Sequence, residues 1–282
     1  MAETIEVPVG AYRFDVRVAG PEDGRLVLLL HGFPQSSLEW RHQLATLAQA
    51  GYRAVAPDQR GYSPKARPEG VQHYATAHLV ADALAIVDEM GGHKVDVVGH
   101  DWGAWVAWHL AARYPERLRT LTSVSLPHPA ALSDAILSGN VDQAARSSYI
   151  GFFRQEGIAE KTLMLNDGDG LRKMLAATGL PEEETGQYVD LMREPGALTA
   201  ALSWYRAVTP DEATGMGAIT TPTMYVWSDQ DVALGREAAE ATASHVEGPY
   251  RFEVLEGVSH WIPEAAADEL DRLLLEHLSS WA

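Results

Sequence analysis

The 282-residue chain contains no cysteine, which excludes a disulfide framework, a thiolate metal site and a cysteine nucleophile. It has no apolar run approaching the roughly 20 residues that a membrane-spanning helix needs. Its 24 glycines and 15 prolines follow no fixed period, so a collagen-like chain is excluded as well. Basic residues are scarce: 22 Lys and Arg stand against 39 Asp and Glu, a net charge of −17. From residue 213 onward only three basic residues face twelve acidic ones. Such a surface repels phosphate backbones and anionic lipid, which argues against nucleic acid, a membrane or a polyanionic substrate as partner. The opening MAETIEVPVGAYRFDV lacks a basic segment followed by an apolar one, and an uncleaved, cytoplasmic protein is expected.

What is present is a 46% apolar chain in which short Val-, Leu- and Ile-rich runs alternate with longer amphipathic segments. That is the pattern of buried parallel strands joined by crossover helices. Strands are expected at 26–30, 53–57, 94–99, 121–126, 223–227 and 252–257, and a hairpin around Gly10 at 6–20. Helices are expected at 75–90, 102–114, 233–244 and 264–280. The fold class is therefore α/β: a mostly parallel sheet with helices on both faces and an antiparallel start. Residues 129–212 break the rhythm. They offer no plausible strand, only helical pieces punctuated by residues such as Gly139, Gly157, Pro181 and Pro195. An insertion at the C-terminal end of a strand lies over the crevice where open α/β sheets bind ligands, so a helical cap is expected at 129–212, on a core made of 1–128 and 213–282.

The most informative stretch is KVDVVGHDWGAWVAWHLA (94–111), a strand running through Gly99-His100-Asp101-Trp102-Gly103 directly into a helix. Glycines on both sides of the central residue permit a turn sharp enough to leave its side chain standing above the sheet, on a helix N-terminus. The usual occupant is serine; here it is Asp101. A carboxylate with a pKa of about 4 is an anion at neutral pH and can displace a leaving group at saturated carbon without prior deprotonation. The bland alternative is a helix N-cap, a common task for Asp, which the surrounding motifs make the minority reading.

HGFP (31–34) follows the strongest strand, LVLLL. In elbow enzymes of this kind one oxyanion donor is the N–H after the nucleophile and the other comes from this early loop, here Trp102 and Phe33. The base should come last in the chain. Of eleven histidines, only His260 sits in a loop between a strand and a helix start, where a side chain with a pKa near 6.5 can activate water. Its orienting acid is sought in YVWSDQDVALG (225–235). Asp229 suits the turn, which leaves Asp231, with Asp229 as the alternative. The chain order is then nucleophile, acid, histidine. His100 reads as an elbow packing residue.

With these residues the chain resembles the α/β-hydrolase superfamily over nearly its whole length, and more narrowly its soluble epoxide hydrolases, which share the HGFP loop and the GHDWG elbow. The resemblance implies the α/β-hydrolase fold, with about eight strands and a helical cap, and its spacing also falls on Asp231. VAPDQRGYSPKARP (55–68) looks like the family's post-strand loop, with Asp58, Arg60 and Gly61 holding the loop. Tyr149 in ARSSYIGFFRQEGIAE and Tyr205 in ALSWYRAV stand in contexts similar to the family's ring-opening pair, the alternative being core aromatics of the cap; Tyr188 has no such context. The implied reaction is epoxide to vicinal diol: Asp101 attacks a ring carbon while Tyr149 and Tyr205 bind the oxygen. Water activated by His260 and Asp231 then cleaves the ester. Phe33, Trp102, Ile150 and Phe153 are expected at the substrate, and Leu163 and Leu202 either there or in the cap's own core. The partner implied is a small apolar or aromatic epoxide; no cofactor or metal is implied, and a homodimer is left open. Haloalkane dehalogenases share the Asp-Trp elbow and are the alternative. A third reading is a non-hydrolytic receptor or an epoxide-processing cyclase on the same fold.

Overall fold

The computed structural model describes residues 2–281. Eight strands form one sheet: β1 (Glu3–Val9), β2 (Tyr12–Ala19), β3 (Arg25–Leu30), β4 (Tyr52–Pro57), β5 (Val95–His100), β6 (Leu118–Val124), β7 (Thr223–Gln230) and β8 (Tyr250–Ser259). Their order is β1-β2-β4-β3-β5-β6-β7-β8. The β1–β2 hairpin and its junction with β4 are antiparallel, and every pairing from β4 to β8 is parallel. The helices in chain order are α1 (Arg41–Gln49), α2 (Thr76–Glu89), α3 (Trp102–Arg113), α4 (Pro129–Leu137), α5 (Val141–Arg146), α6 (Ser148–Phe153), α7 (Ile158–Leu163), α8 (Leu165–Ala177), α9 (Glu182–Arg193), α10 (Ala197–Ala207), α11 (Pro210–Thr214), α12 (Arg236–Ala241), α13 (Ile262–Ala265) and α14 (Ala267–Ser280). The run α4–α11 is inserted between β6 and β7, and no strand interrupts it.

Alternation along β3 explains the layering. Leu26, Leu28 and Leu30 face one hydrophobic layer with α2 and α3, and Val27 and Leu29 face the other with α1 and α14. Each fully buried leucine is worth about 2 kcal/mol of transfer free energy, so a strand apolar on both faces has only the sheet centre as a stable place. In α14 the buried leucines 270, 273, 274 and 278 recur at helical spacing. No helix among the described residues is long and apolar enough to cross a membrane.

Three local readings need correction. Helix α1 is absent from the expected elements because its sequence, RHQLATLAQ, carries only Leu44 and Leu47 as large apolar anchors, and those bury against the sheet. The expected helix at 264–280 is two helices broken at Ala266, whose φ of −136° is not helical. The helix expected from 233 begins at Arg236, because the amides of Ala233 and Leu234 are turned toward the Asp231 carboxylate.

At the N-terminal end of the central strand β5, away from the insertion, Asp96 is fully buried and accepts two hydrogen bonds of 2.6 Å from Arg25 and one of 2.7 Å from Thr120. Arg25 also donates to the Leu278 carbonyl at the end of α14. Removing one member of such a pair strands the other charge. Asp96→Ala is expected to lower unfolding free energy by about 3 kcal/mol, read from urea denaturation, with its main effect on stability.

Candidate active site

Strand β5 delivers Asp101 at the point where the chain turns into α3, with φ 49° and ψ −117°, outside the ordinary range for a residue bearing a side chain. The turn is enforced by proximity. A Cβ at Gly103 would fall 1.9 Å from the Leu30 carbonyl oxygen, and one at Gly32 would fall 2.6 Å from Asp101 Cβ. Both glycines therefore allow β3, its loop and α3 to close around the carboxylate. His31 fixes that loop as a neutral ring. Its Nε2 accepts from the Gln59 N–H at 3.0 Å, so its Nδ1–H donates to the Gly32 carbonyl at 2.9 Å, and burial pulls its pKa down to about 4.

Asp101 is 9% exposed. Its Oδ2 accepts from the Phe33 N–H at 3.0 Å, while Oδ1 lies 3.9 Å from His260 Nε2. Trp102 opens α3, so its N–H is one of the first-turn donors without an intrahelical acceptor. His260 Nδ1 is 2.7 Å from Asp231 Oδ2, which places a proton on Nδ1 and turns Nε2 toward Asp101. Asp231, fully buried, has its other oxygen held by the N–H groups of Ala233 (2.7 Å) and Leu234 (3.0 Å). Asp229 does not face the imidazole; it accepts from the Gly257 N–H at 2.7 Å and ties the β8 end in place. His100 does more than pack. Burial holds its pKa down at about 4, and its Nε2 donates to the His260 carbonyl at 3.0 Å, alongside Ser125 Oγ at 2.9 Å.

Burial opposes a charge on His260, yet Asp231 first, then Asp101 and Glu39, outweigh it and push the pKa up to about 9. At neutral pH the imidazole is cationic between two carboxylates.

Above Asp101 stand the two tyrosines, Tyr149 from α6 and Tyr205 from α10, with ring centroids 6.1 Å apart. Burial raises both hydroxyls above their ordinary pKa of 10.0, followed by the Asp101 charge at Tyr149 and by Tyr149 and then Asp101 at Tyr205, so each is a neutral O–H donor. Phe33, Phe153 and Trp102 pack on the Tyr205 ring at 5.4, 5.0 and 4.8 Å. Two cavities, of about 190 and 240 Å³, share Asp101, Tyr149, Tyr205 and Ala233. One runs past Trp102, Ile150, Trp105, Leu132 and Ile136. The other runs past Phe33, Phe153, Met174, His260 and Trp261.

The structure thus brings together Asp101, His260, Asp231, Tyr149, Tyr205, Phe33, Trp102, Phe153 and Ile150. Leu163 and Leu202 line neither cavity and are buried in the insertion's own core, because they lie on the inner faces of α7 and α10. Asp58 and Arg60 hold their loop: Asp58 accepts from the Ser37 N–H, and Arg60 forms a buried bidentate pair with Asp82 at 2.6 and 2.7 Å. Tyr188 donates to Glu264 at 2.8 Å, joining α9 to α13. Trp105, Leu132, Met174 and Trp261 escaped the sequence reading, since apolar residues on helices carry no signal that separates a cavity wall from a core. Among the described residues no group of three or more His, Asp or Glu side chains is arranged to hold a metal ion.

Residues 25–266 match the model of the alpha/beta hydrolase fold family. Mouse epoxide hydrolase 4 is 33% identical over 96% of this chain and 77% of its own, and epoxide hydrolase A of Mycobacterium tuberculosis is 30% identical over 97% and 96%. The chain belongs to the epoxide hydrolase family of the α/β-hydrolase superfamily. Another relative of this family member, the AB hydrolase superfamily protein YfhM of Bacillus subtilis, is 37% identical over 94% of both chains. In three dimensions, the crystal structure of epoxide hydrolase A from Mycobacterium thermoresistibile superposes with a TM-score of 0.84 at 27% identity, covering 100% of this chain and 99% of that one.

The charge on His260 makes a stability prediction with a definite sign. Its folded pKa of about 9 lies above the ordinary imidazole value of 6.5, so the stabilisation is fully present below about pH 6.5 and is lost as pH rises through about 9. Asp231→Asn is therefore expected to be destabilised by roughly 2 kcal/mol at pH 6, with the gap to the parent narrowing by pH 10 in parallel urea titrations. A gap that widens with pH would contradict a cationic His260.

Proposed function

We propose that the protein hydrolyses apolar epoxides to vicinal diols, with Asp101 as nucleophile, and that residues 129–212 act as a cap on a core of 1–128 and 213–282. The observation that carries this reading is the flanking of one carboxylate, where two cavities meet, by two neutral tyrosine hydroxyls above and a His–Asp pair beside it. Opening an epoxide generates an alkoxide, a strong base that needs an O–H donor at the ring oxygen. A departing halide needs no proton, so the tyrosine pair favours the epoxide over the haloalkane.

In the first step Asp101 Oδ1, the oxygen left free by Phe33, forms a bond to a ring carbon as the carbon–oxygen bond breaks, and Tyr149 and Tyr205 supply the alkoxide with a proton. Esterification removes one of the charges that hold the proton on His260. The imidazole then gives up a proton, which restores the tyrosine hydroxyl that protonated the alkoxide in ring opening. In the second step neutral His260, oriented by Asp231, takes a proton from water as its oxygen adds to the ester carbon. The oxyanion on Oδ2 is held by the Phe33 and Trp102 N–H groups. Collapse breaks the bond from the ester carbon to Oδ1, the second proton of the attacking water passes to that oxygen, the diol departs carrying it, and Asp101 is left a carboxylate and His260 cationic as they began.

The two cavities meeting at Asp101 fit substituents on the two ring carbons, one lying against Trp102 and Ile150 and the other against Phe33 and Phe153. Their walls suit hydrocarbon or aromatic groups.

A styrene-type epoxide is the first test: diol formation is expected, with no chloride or bromide released from a haloalkane of matching size. His260→Gln should stop after the first step, so that intact-protein mass rises by the mass of the substrate; an unmodified protein that still consumes epoxide would remove the covalent step. Tyr149→Phe is expected to slow ring opening about 10-fold, because Tyr205 remains. The double Tyr→Phe variant should lose about 1,000-fold, and a double variant at the parental rate would remove both tyrosines from the mechanism.

A further inference from the structure

The loop that follows β7, residues 231–235, has no regular structure, and its polar groups are shared between Asp231 and the inserted helix α5. Asp231 Oδ1 collects the N–H groups of Ala233 and Leu234, and the Trp227 indole donates to the Leu234 carbonyl at 3.1 Å. The remaining partners come from α5. Gln143 Nε2 donates to the Ala233 carbonyl at 2.9 Å, Gln143 Oε1 accepts from the Gly235 N–H at 2.8 Å, and the Arg146 guanidinium donates to the Asp231 carbonyl. Gln143 is 1% exposed, and its amide also donates to Ser147 Oγ at 2.9 Å.

One feature separates this from ordinary packing. The Ala233 carbonyl and the Leu234 N–H belong to the same peptide plane, which is rigid. Gln143 grips one edge of that plane, and Asp231 Oδ1 accepts from the other. Rotation of the plane would take the Leu234 donor away from Asp231 and free the carboxylate to leave His260. The approach of the two segments is close, since a Cβ on Gly235 would lie 3.0 Å from Asp142 Oδ2 and 3.2 Å from Gln143 Oε1. Tyr149 follows Arg146 by three residues, so the segment that brings a hydroxyl to the ring oxygen is fastened to the loop that carries the acid.

We propose that Gln143, with Arg146, is a positioning residue that holds Asp231 against His260 from the inserted helices, and so serves the ester-hydrolysis step. This rests on the reading of Asp231 and His260 given above. Loss of the clamp lets Asp231 drift from His260, while Asp101 and Phe33 keep their own supports and the Tyr149 ring stays packed against Phe153 and Tyr205.

Single-turnover measurements on Gln143→Leu with a styrene-type epoxide test it, with ester formation and ester decay followed separately by quenched intact-protein mass. Ester decay is expected to slow 10-fold or more and ester formation less than 3-fold, so that the alkylated protein accumulates during steady turnover where the parent shows little. Equal slowing of both steps, or an unchanged decay rate in folded protein, would overturn the clamp. If Gln143→Leu fails to fold, Arg146→Met, a change at a partly exposed side chain that removes the donor to the Asp231 carbonyl, is held to the same split and the same refutation. His260→Gln runs alongside as a control. Absence of ester there would sink the underlying reading, whereas ester there with unsplit rates in the α5 variants would sink the clamp alone.

Discussion

A carboxylate kept almost out of water is the constraint around which this molecule is arranged. Burying an anion carries a large desolvation penalty unless donors and charges replace the lost water. At Asp101 the replacements are the Phe33 N–H on one oxygen, the N-terminus of α3 beneath, and the cationic His260 beside the other oxygen. Each requires something of the sequence. The Phe33 amide reaches Asp101 only because Gly32 has no Cβ, and α3 starts where it does only because Gly103 can lie against the Leu30 carbonyl. The positive φ of Asp101 itself is held between β5, buried throughout, and α3, buried from Gly103 to Ala111.

The same electrostatic arrangement links the two proposed chemical steps. His260 is charged because two carboxylates and Glu39 surround it against the opposition of burial, which keeps Asp101 the anion that the proposed first step needs but leaves no base. Turning Asp101 into an ester cancels one of those charges, and the imidazole then becomes available as a base at the point where one is needed. Asp231 stays in place through both steps because its second oxygen is bound to two backbone amides, which no change of charge at Asp101 disturbs.

What could be read in the sequence is what short-range geometry dictates. The elbow glycines, the HGFP loop and the placement of His260 after a late strand are local patterns, and the parallel sheet follows from apolar runs too continuous for a half-exposed strand. The break at Ala266 and helix α1 were not legible, since neither carries a strong periodic signal and tertiary packing decides both. Asp229 sits at the end of β7 and Asp231 just beyond it; the turn and the resemblance favour Asp231, and the long-range meeting with Gly257 and His260 gives each carboxylate its partner. Tyr149 and Tyr205 were reached through a resemblance, because a tyrosine on a helix looks the same whether it faces a cavity or a core. Gln143 had no sequence signature at all: its role depends on a carbonyl 90 residues away along the chain.

The central claim is that Asp101 makes the bond to carbon itself. One turnover of a styrene-type epoxide in heavy-oxygen water, with enzyme in excess, followed by mass analysis of both the diol and the peptide containing Asp101, addresses it most directly. The account requires the heavy oxygen in the Asp101 carboxylate and ordinary oxygen in the first diol formed. Heavy oxygen in the diol with an unlabelled Asp101 would mean that water attacks the epoxide directly, and would contradict the account.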